Sequence, residues 1–165
     1  MNDTTEKPMT SKSFMRILSL IYIAMMLGLL FFIVLSYSQG GNPIGFSDNG
    51  DLWLYVVPLI AMISYFGGDF IFNRTLSNIA EKSSLKQKLT HYLRASIIRY
   101  AFLEGAACIG VLAYRENHNI FYLVIVASLI LYLIKLRPTK EGIIRDFGLE
   151  GKDQASFRNE QEEII

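Results

Sequence analysis

The chain predicts an all-α, polytopic membrane fold with four transmembrane helices, and three observations carry that prediction. Hydrophobic residues make up 52% of the 165, charged residues only 19%, and the mean hydropathy is +0.31. The apolar residues cluster into runs at about 17–37, 53–72, 95–114 and 120–136. Each run approaches the ~20 residues that a helix needs to cross a ~30 Å hydrocarbon core. Backbone N–H and C=O groups cannot stay unpaired in lipid, so such runs are helices, and no alternating strand pattern competes with that reading.

Residues 1–13 are polar and expected to be disordered. Lys7, Lys12 and Arg16 precede the first run, as in a secretory signal. The run is too long for the apolar part of a signal and no A-x-A-like site closes it, so it is expected to be retained as the first span. The following "SQGGNPIGFSDNGD" is dense in Gly, Asn, Asp and Pro and predicts a turn-rich loop without a helix.

Beyond the second run, Leu76, Ile79, Leu85, Leu89, Leu93 and Ile97 recur at helical spacing. Helix two is therefore expected to continue to about Glu81, with a turn at Ser83–Ser84. Ser84 and Gln87 have the S-x-x-Q form of a capping box opening helix three. Spans two and three thus form a hairpin with a cytoplasmic knuckle. After span four, "KLRPTKEGIIRDFGLEG" predicts a short amphipathic helix over 138–149. Pro138 suits its first turn, Ile143, Ile144 and Phe147 its buried side, and Gly148 its end. It is expected at the membrane surface or against the knuckle. The tail, 150–165, is polar and acidic and expected to be disordered.

Charge sets the orientation. Of the 16 lysines and arginines, only Arg115 lies in a loop on the side opposite the termini. Both termini and the middle loop are therefore expected in the cytoplasm of a bacterial inner membrane. The outer loops carry Asp48, Asp51 and Glu116 against Arg115. A basic inner surface points to anionic lipid as a partner, and no basic and aromatic residues interleave as in a nucleic-acid groove.

A faint repeat suggests parallel duplication of a two-helix unit. "LRASIIRYAFLEG" falls under "MRILSLIYIAMML", matching Arg16 to Arg94 and Tyr22 to Tyr100. At a second shift Tyr55 matches Tyr122 and Tyr65 matches Tyr132. Glu104 then replaces Met26 and belongs to the second copy alone.

Two charged positions fall inside the spans. Asp69 and Arg99 lie equally far before and after Ser84, so the hairpin sets them at one depth. The first reading is a structural ion pair clipping helices two and three, with Gly67 and Gly68 allowing close contact; the second is a gate. Glu104 is deeper, because a helix advances roughly 13–14 Å from Ala95 to Glu104. An ionised acid at a helix centre costs about 2.5–3.5 kcal/mol on insertion scales. Glu104 therefore carries a proton, bonds a neighbour while neutral, or lines a wet path. Tyr100 and Cys108 share its helix face, and Ser64 is its depth-mate on helix two, with Tyr65 adjacent. Glu104, Tyr100, Ser64 and Tyr65 are thus the ion- or proton-linked candidates.

Around Glu104, Ala101/Gly105 and Ala106/Gly110 form small-xxx-small pairs that admit another helix. Cys108 is the single cysteine, so no disulfide forms within one chain, and it reads as a packing residue. His91 and His118 fall on opposite sides of the membrane. No H-E-x-x-H, G-x-S-x-G or phosphate-binding loop is present. No catalytic residue, metal site or cofactor is therefore assigned.

The stretch "LSNIAEKSSLKQKL" followed by "YAFLEGAACIGVLAY" resembles the loop and second helix of the c subunit of rotary ATP synthases. That resemblance implies an ion-binding role for Glu104. The bulky "LWLYVVPLIAMISYFGGDF", where the family's first helix is glycine-rich, departs from it, and spans one and four have no counterpart there. As a whole, with its "LRPTKEGIIRDFGL" ending, the chain resembles small uncharacterised four-span bacterial inner-membrane proteins, which implies architecture and no activity. The expected function is that of a non-enzymatic homo-oligomer or accessory subunit of a membrane complex, packing through the small-residue face of span three. The alternative is a small transporter or ion-coupling protein using Glu104.

Overall fold

A computed structural model describes residues 10–39, 45–46, 50–79, 84–148 and 151–159, with the backbone alone at 152 and 153. Every regular element among them is a helix: α1 (Ser11–Gln39), α2 (Trp53–Ser77), α3 (Leu85–Asn117), α4 (Ile120–Lys135), α5 (Lys140–Phe147) and α6 (Gly151–Arg158). The first three are long and apolar enough to cross a membrane. The fourth apolar run is helical too, but its 16 residues advance only roughly 24 Å, short of a hydrocarbon core. It continues into α5 through a bend of 81°, and among the described residues the candidate spans number three, or four if that bent pair is one span.

Apolarity and burial run in opposite order along the chain. α1 is the most apolar of these three and the least buried, with 11% of its apolar 18-residue stretch inside, whereas α3 is the least apolar and has 44% inside. Leu20, Phe31 and Val34 of α1 are each about two-thirds exposed. In water such a surface would be unstable, because every exposed apolar side chain forgoes its transfer energy. In hydrocarbon it is the ordinary exterior.

α3 is the hub, and α1, α2 and α4 all pack on it. Lipid offers no hydrophobic force between helices, so contact depends on close van der Waals fit, which small residues permit. Ala95, Ala106, Ala107, Gly110 and Ala113 of α3 are buried. At Gly110 the fit is tightest. A Cβ there would lie 2.7 Å from Val126 Cγ2 of α4 and 3.6 Å from Val57 Cγ1 of α2. One of the two small pairs is thus used inside the molecule. The other is not: Ala101 and Gly105 are exposed, and among the described residues nothing lies within 4 Å of a Cβ at Gly105.

The helix ends show where local chemistry agreed with expectation and where it did not. The Ser84–Gln87 capping box is present, with the Gln87 N–H donating to Ser84 Oγ (3.4 Å) and the Ser84 N–H to Gln87 Oε1 (3.3 Å). α2 stops at Ser77 rather than reaching Glu81, which lies with Ser83 outside the described residues. Thr75 and Ser77 hydroxyls donate back to the Ile71 and Arg74 carbonyls there, and such back-bonding weakens a helix end.

α5 begins at Lys140, because Thr139 caps it by accepting from the Gly142 N–H; Pro138 precedes the cap instead of occupying the first turn. Gly148, at φ 57°, ends it as expected. α5 packs on α3: Ile143 is fully buried, and Phe147 meets Tyr92 of α3 with ring centroids 5.5 Å apart; residues 80–83 of the expected knuckle lie outside the described residues.

Two terminal segments differ from expectation. Residues 11–13, expected to be disordered, form the start of α1, where the Thr10 hydroxyl accepts from the Ser13 N–H. Residues 151–158 of the tail, also expected to be disordered, form α6. The reason is one aromatic residue: Phe157 is fully buried, edge-on to Phe14 of α1. Residues 1–9 and 160–165 lie outside the described set.

The two small pairs should respond oppositely to the same change. Gly110→Ala is expected to lower stability by about 1–3 kcal/mol, the range for overpacking, and Val126→Ala should restore most of it. Gly105→Ala should be neutral or slightly stabilising. Thermal unfolding in detergent measures all three; equal effects at both glycines would refute the assignment of inside and outside faces.

Candidate functional site

Polar chemistry gathers where α2, α3 and α4 approach the end that carries α5 and α6. Gly68 of α2 meets the Arg99 backbone of α3 closely: a Cβ there would lie 3.6 Å from the Arg99 carbonyl oxygen and 3.7 Å from its Cα. This approach brings the next residue, Asp69, to Arg99, and Asp69 Oδ1 lies 2.5 Å from Arg99 Nη2. Their side chains are 30% and 16% exposed, so the pair is only partly desolvated and its attraction exceeds that of a surface bridge.

Sequence reasoning missed the third member, Tyr132 of α4. Its hydroxyl donates to Asp69, 2.8 Å from Oδ1 and 2.6 Å from Oδ2, and accepts from Arg99 Nη2 at 2.9 Å. Tyr65 of α2 stacks at a tilt on the Tyr132 ring, centroids 4.3 Å apart. The Arg99 guanidinium also lies over the Phe72 ring at 4.9 Å, a favourable cation–π contact. Arg99 Nε is buried without a hydrogen-bond partner among the described residues. A signal for Tyr132 was available: it lies one turn inside the end of α4, the depth that hairpin symmetry assigns to Asp69 and Arg99.

At the same end two tyrosines donate to carbonyls in the last turn of α4. Pro138 has no N–H to donate to the turn before it. Tyr22 of α1 donates to the Leu133 carbonyl and Tyr100 of α3 to the Leu136 carbonyl, each at 3.1 Å. The two tyrosine rings meet edge-on, 5.5 Å apart. Tyr92 donates to Asp146 Oδ2 of α5 at 3.2 Å. Of these, Tyr92, Tyr100, Leu136 and Asp146 border a cleft of about 940 Å³ between α2, α3, α4 and α5.

Glu104 is elsewhere. Its carboxylate faces α1, with Oε1 3.7 Å from where a Cβ of Gly28 would be. No hydrogen bond or ion pair to it forms among the described residues. The three neighbours expected for it are occupied or turned away. The Tyr100 hydroxyl goes to Leu136, Tyr65 packs on Tyr132, and Ser64 is buried on α2 one turn from Gly68. Arg99 and Glu104 are five residues apart, or about 140° around the helix. With Arg99 on α2, Glu104 cannot also face α2. Equal depth was the right guide for the first pair and insufficient for the second. Cys108, half-buried, is a free thiol one turn from Glu104.

At the opposite end Asp51 opens α2. Its Oδ1 accepts from the Trp53 N–H at 3.0 Å, and its Oδ2 accepts from the Tyr122 hydroxyl of α4. His118, at φ 53°, turns α3 into α4, and Asn119 caps α4 by accepting from the Phe121 N–H. Among the described residues no three His, Cys, Asp or Glu side chains gather as metal ligands would. No family model, curated protein or solved structure matches this chain.

The ion pair and its tyrosine should behave as one unit. Tyr132→Phe is expected to cost about 1.5–3 kcal/mol, the range for hydrogen bonds to charged groups. Asp69→Asn should cost more, since it strands a partly buried guanidinium. Exchanging the two charges, Asp69→Arg with Arg99→Asp, should recover expression and melting temperature lost in either single reversal. A double reversal no better than the singles would refute the pairing.

Proposed function

We propose that this chain is a non-enzymatic, four-span protein of the bacterial inner membrane, with both termini cytoplasmic. In this reading α4 makes the fourth crossing, its short length met by local thinning of the bilayer, α5 lies on the cytoplasmic side, and 15 of the 16 basic residues lie toward the cytoplasm, all but Arg115. Its role is to associate with another membrane helix, as a homo-oligomer or as an accessory subunit of a membrane complex. The single observation that carries this is the open side of α3. The helix on which all other spans pack leaves Ala101 and Gly105 uncovered, beside the exposed Ile98, Phe102 and Leu112. The small-residue interface is therefore confined to Ala101 and Gly105, because Ala106 and Gly110 are already filled from within. Parallel duplication remains part of the proposal; it is supported by contact between the matched tyrosines, Tyr22 with Tyr100 and Tyr65 with Tyr132.

A second reading has its own support. Glu104 sits at the seam of α1 and α3 and lacks a donor among the described residues. A carboxyl group held there without a partner suits ion or proton coupling.

Cysteine placed at Gly105 in a Cys108→Ala background tests the first reading in native membranes. Disulfide-linked dimers, or a crosslink to a discrete second protein, are expected at 105 and absent for a cysteine at Leu20 on the exposed side of α1. Equal crosslinking at both positions, or none at 105, would refute it. Glu104→Gln separates the readings: lost proton-dependent flux with association intact supports coupling, and association lost with no flux in the parent excludes it.

A further inference from the structure

The cleft beside the ion pair has a polar floor, an apolar mouth and a cationic rim. At the floor, Tyr132 and Arg99 are fixed by Asp69. At the mouth, Tyr65 of α2 and Ile134 of α4 are 38% and 53% exposed, so the gap between α2 and α4 opens sideways onto the surface that lipid would cover. On the rim Lys135 and Arg137 follow at the α4–α5 elbow, both exposed. Neither forms an ion pair among the described residues.

Charge selects the ligand. Four cations border the cleft, Arg99, Lys135, Arg137 and Arg145, against the carboxylates Asp69, Glu141 and Asp146. Asp69 neutralises Arg99, and Asp146 lies 3.5 Å from Arg145 Nε. That leaves Lys135 and Arg137 against Glu141, an excess of positive charge at the elbow. The elbow sits where a span ends and an amphipathic helix turns away by 81°, which is the level of lipid headgroups. About 940 Å³ is at the upper end of the range for small-molecule sites.

We propose that this cleft binds the phosphate headgroup of an anionic membrane lipid, which enters sideways between α2 and α4. The phosphate sits at Lys135 and Arg137, the polar remainder of the headgroup reaches toward Tyr132 and Arg99, and the acyl chains leave past Tyr65 and Ile134. The site rests on the chain being embedded in a bilayer and is independent of what covers the open side of α3.

The full chain in mild detergent, titrated by native mass spectrometry and by thermal shift, tests this. Three probes divide the chemistry: phosphatidylglycerol, diacylglycerol without phosphate, and glycerol phosphate without chains. Saturable binding of phosphatidylglycerol is expected, with the other two much weaker. Lys135→Gln with Arg137→Gln should weaken it roughly thirtyfold, taking the usual attraction of a membrane-surface cation twice. Arg16→Gln with Arg94→Gln removes the same charge at the same end but outside the cleft and should leave binding unchanged. Both pairs are exposed, and the melting temperature without lipid verifies that each variant folds. Equal loss in the two double variants would overturn the site in favour of diffuse surface charge. Diacylglycerol binding as well as phosphatidylglycerol would overturn the phosphate assignment, and glycerol phosphate doing so would overturn the lipid one.

Discussion

A guanidinium and a carboxylate on apolar helices have to find each other, because hydrocarbon offers neither of them a partner. That constraint organises one end of this protein. Arg99 and Asp69 close the contact between α2 and α3, and Tyr132, bonded to both, adds α4 to the same point. Three helices from three separate apolar runs are thereby held in one register. The cleft beside them follows from it: α2 and α4 meet at Tyr65 and Tyr132, and beyond that contact the chain turns at Pro138 and leaves space between them.

The remaining packing answers to a different rule. Without water, apolar side chains gain nothing by turning inward, and the helices associate where their backbones come close. Gly68 against Arg99 and Gly110 against Val126 are the two places where this closeness is most visible. Bulky residues are displaced to the outside, which is why α1, the most apolar of the three long helices, is the least buried of them. Tyr22 and Tyr100 complete the arrangement by donating to carbonyls in the last turn of α4, where lipid cannot donate.

How much of this was legible in the sequence differs from element to element. The helices themselves were, since a long apolar run has one backbone solution in lipid. The Ser84–Gln87 box and the Gly148 stop were legible because they are local hydrogen-bond chemistry. Asp69 and Arg99 could be matched because distance from a turn gives depth. Glu104 could not be placed by the same device: depth says nothing about direction around the helix, and its carboxylate turns to Gly28 of α1 instead of α2. The tail was misread for a simpler reason. Composition averages over a segment, and Phe157 docks alone.

By itself, then, the order of residues determined the helical class, the approximate spans, the charge asymmetry and the caps, all of which depend on neighbours in the chain or on the contrast between apolar and charged stretches. Only the tertiary structure decided which small pair of α3 faces inward, that Tyr132 joins Asp69 and Arg99, and where Glu104 points. Each of those depends on the rotation of one helix against another. That rotation is set by contacts distant in sequence, and an apolar helix destined for lipid, having no wet side, carries little periodic pattern to announce it.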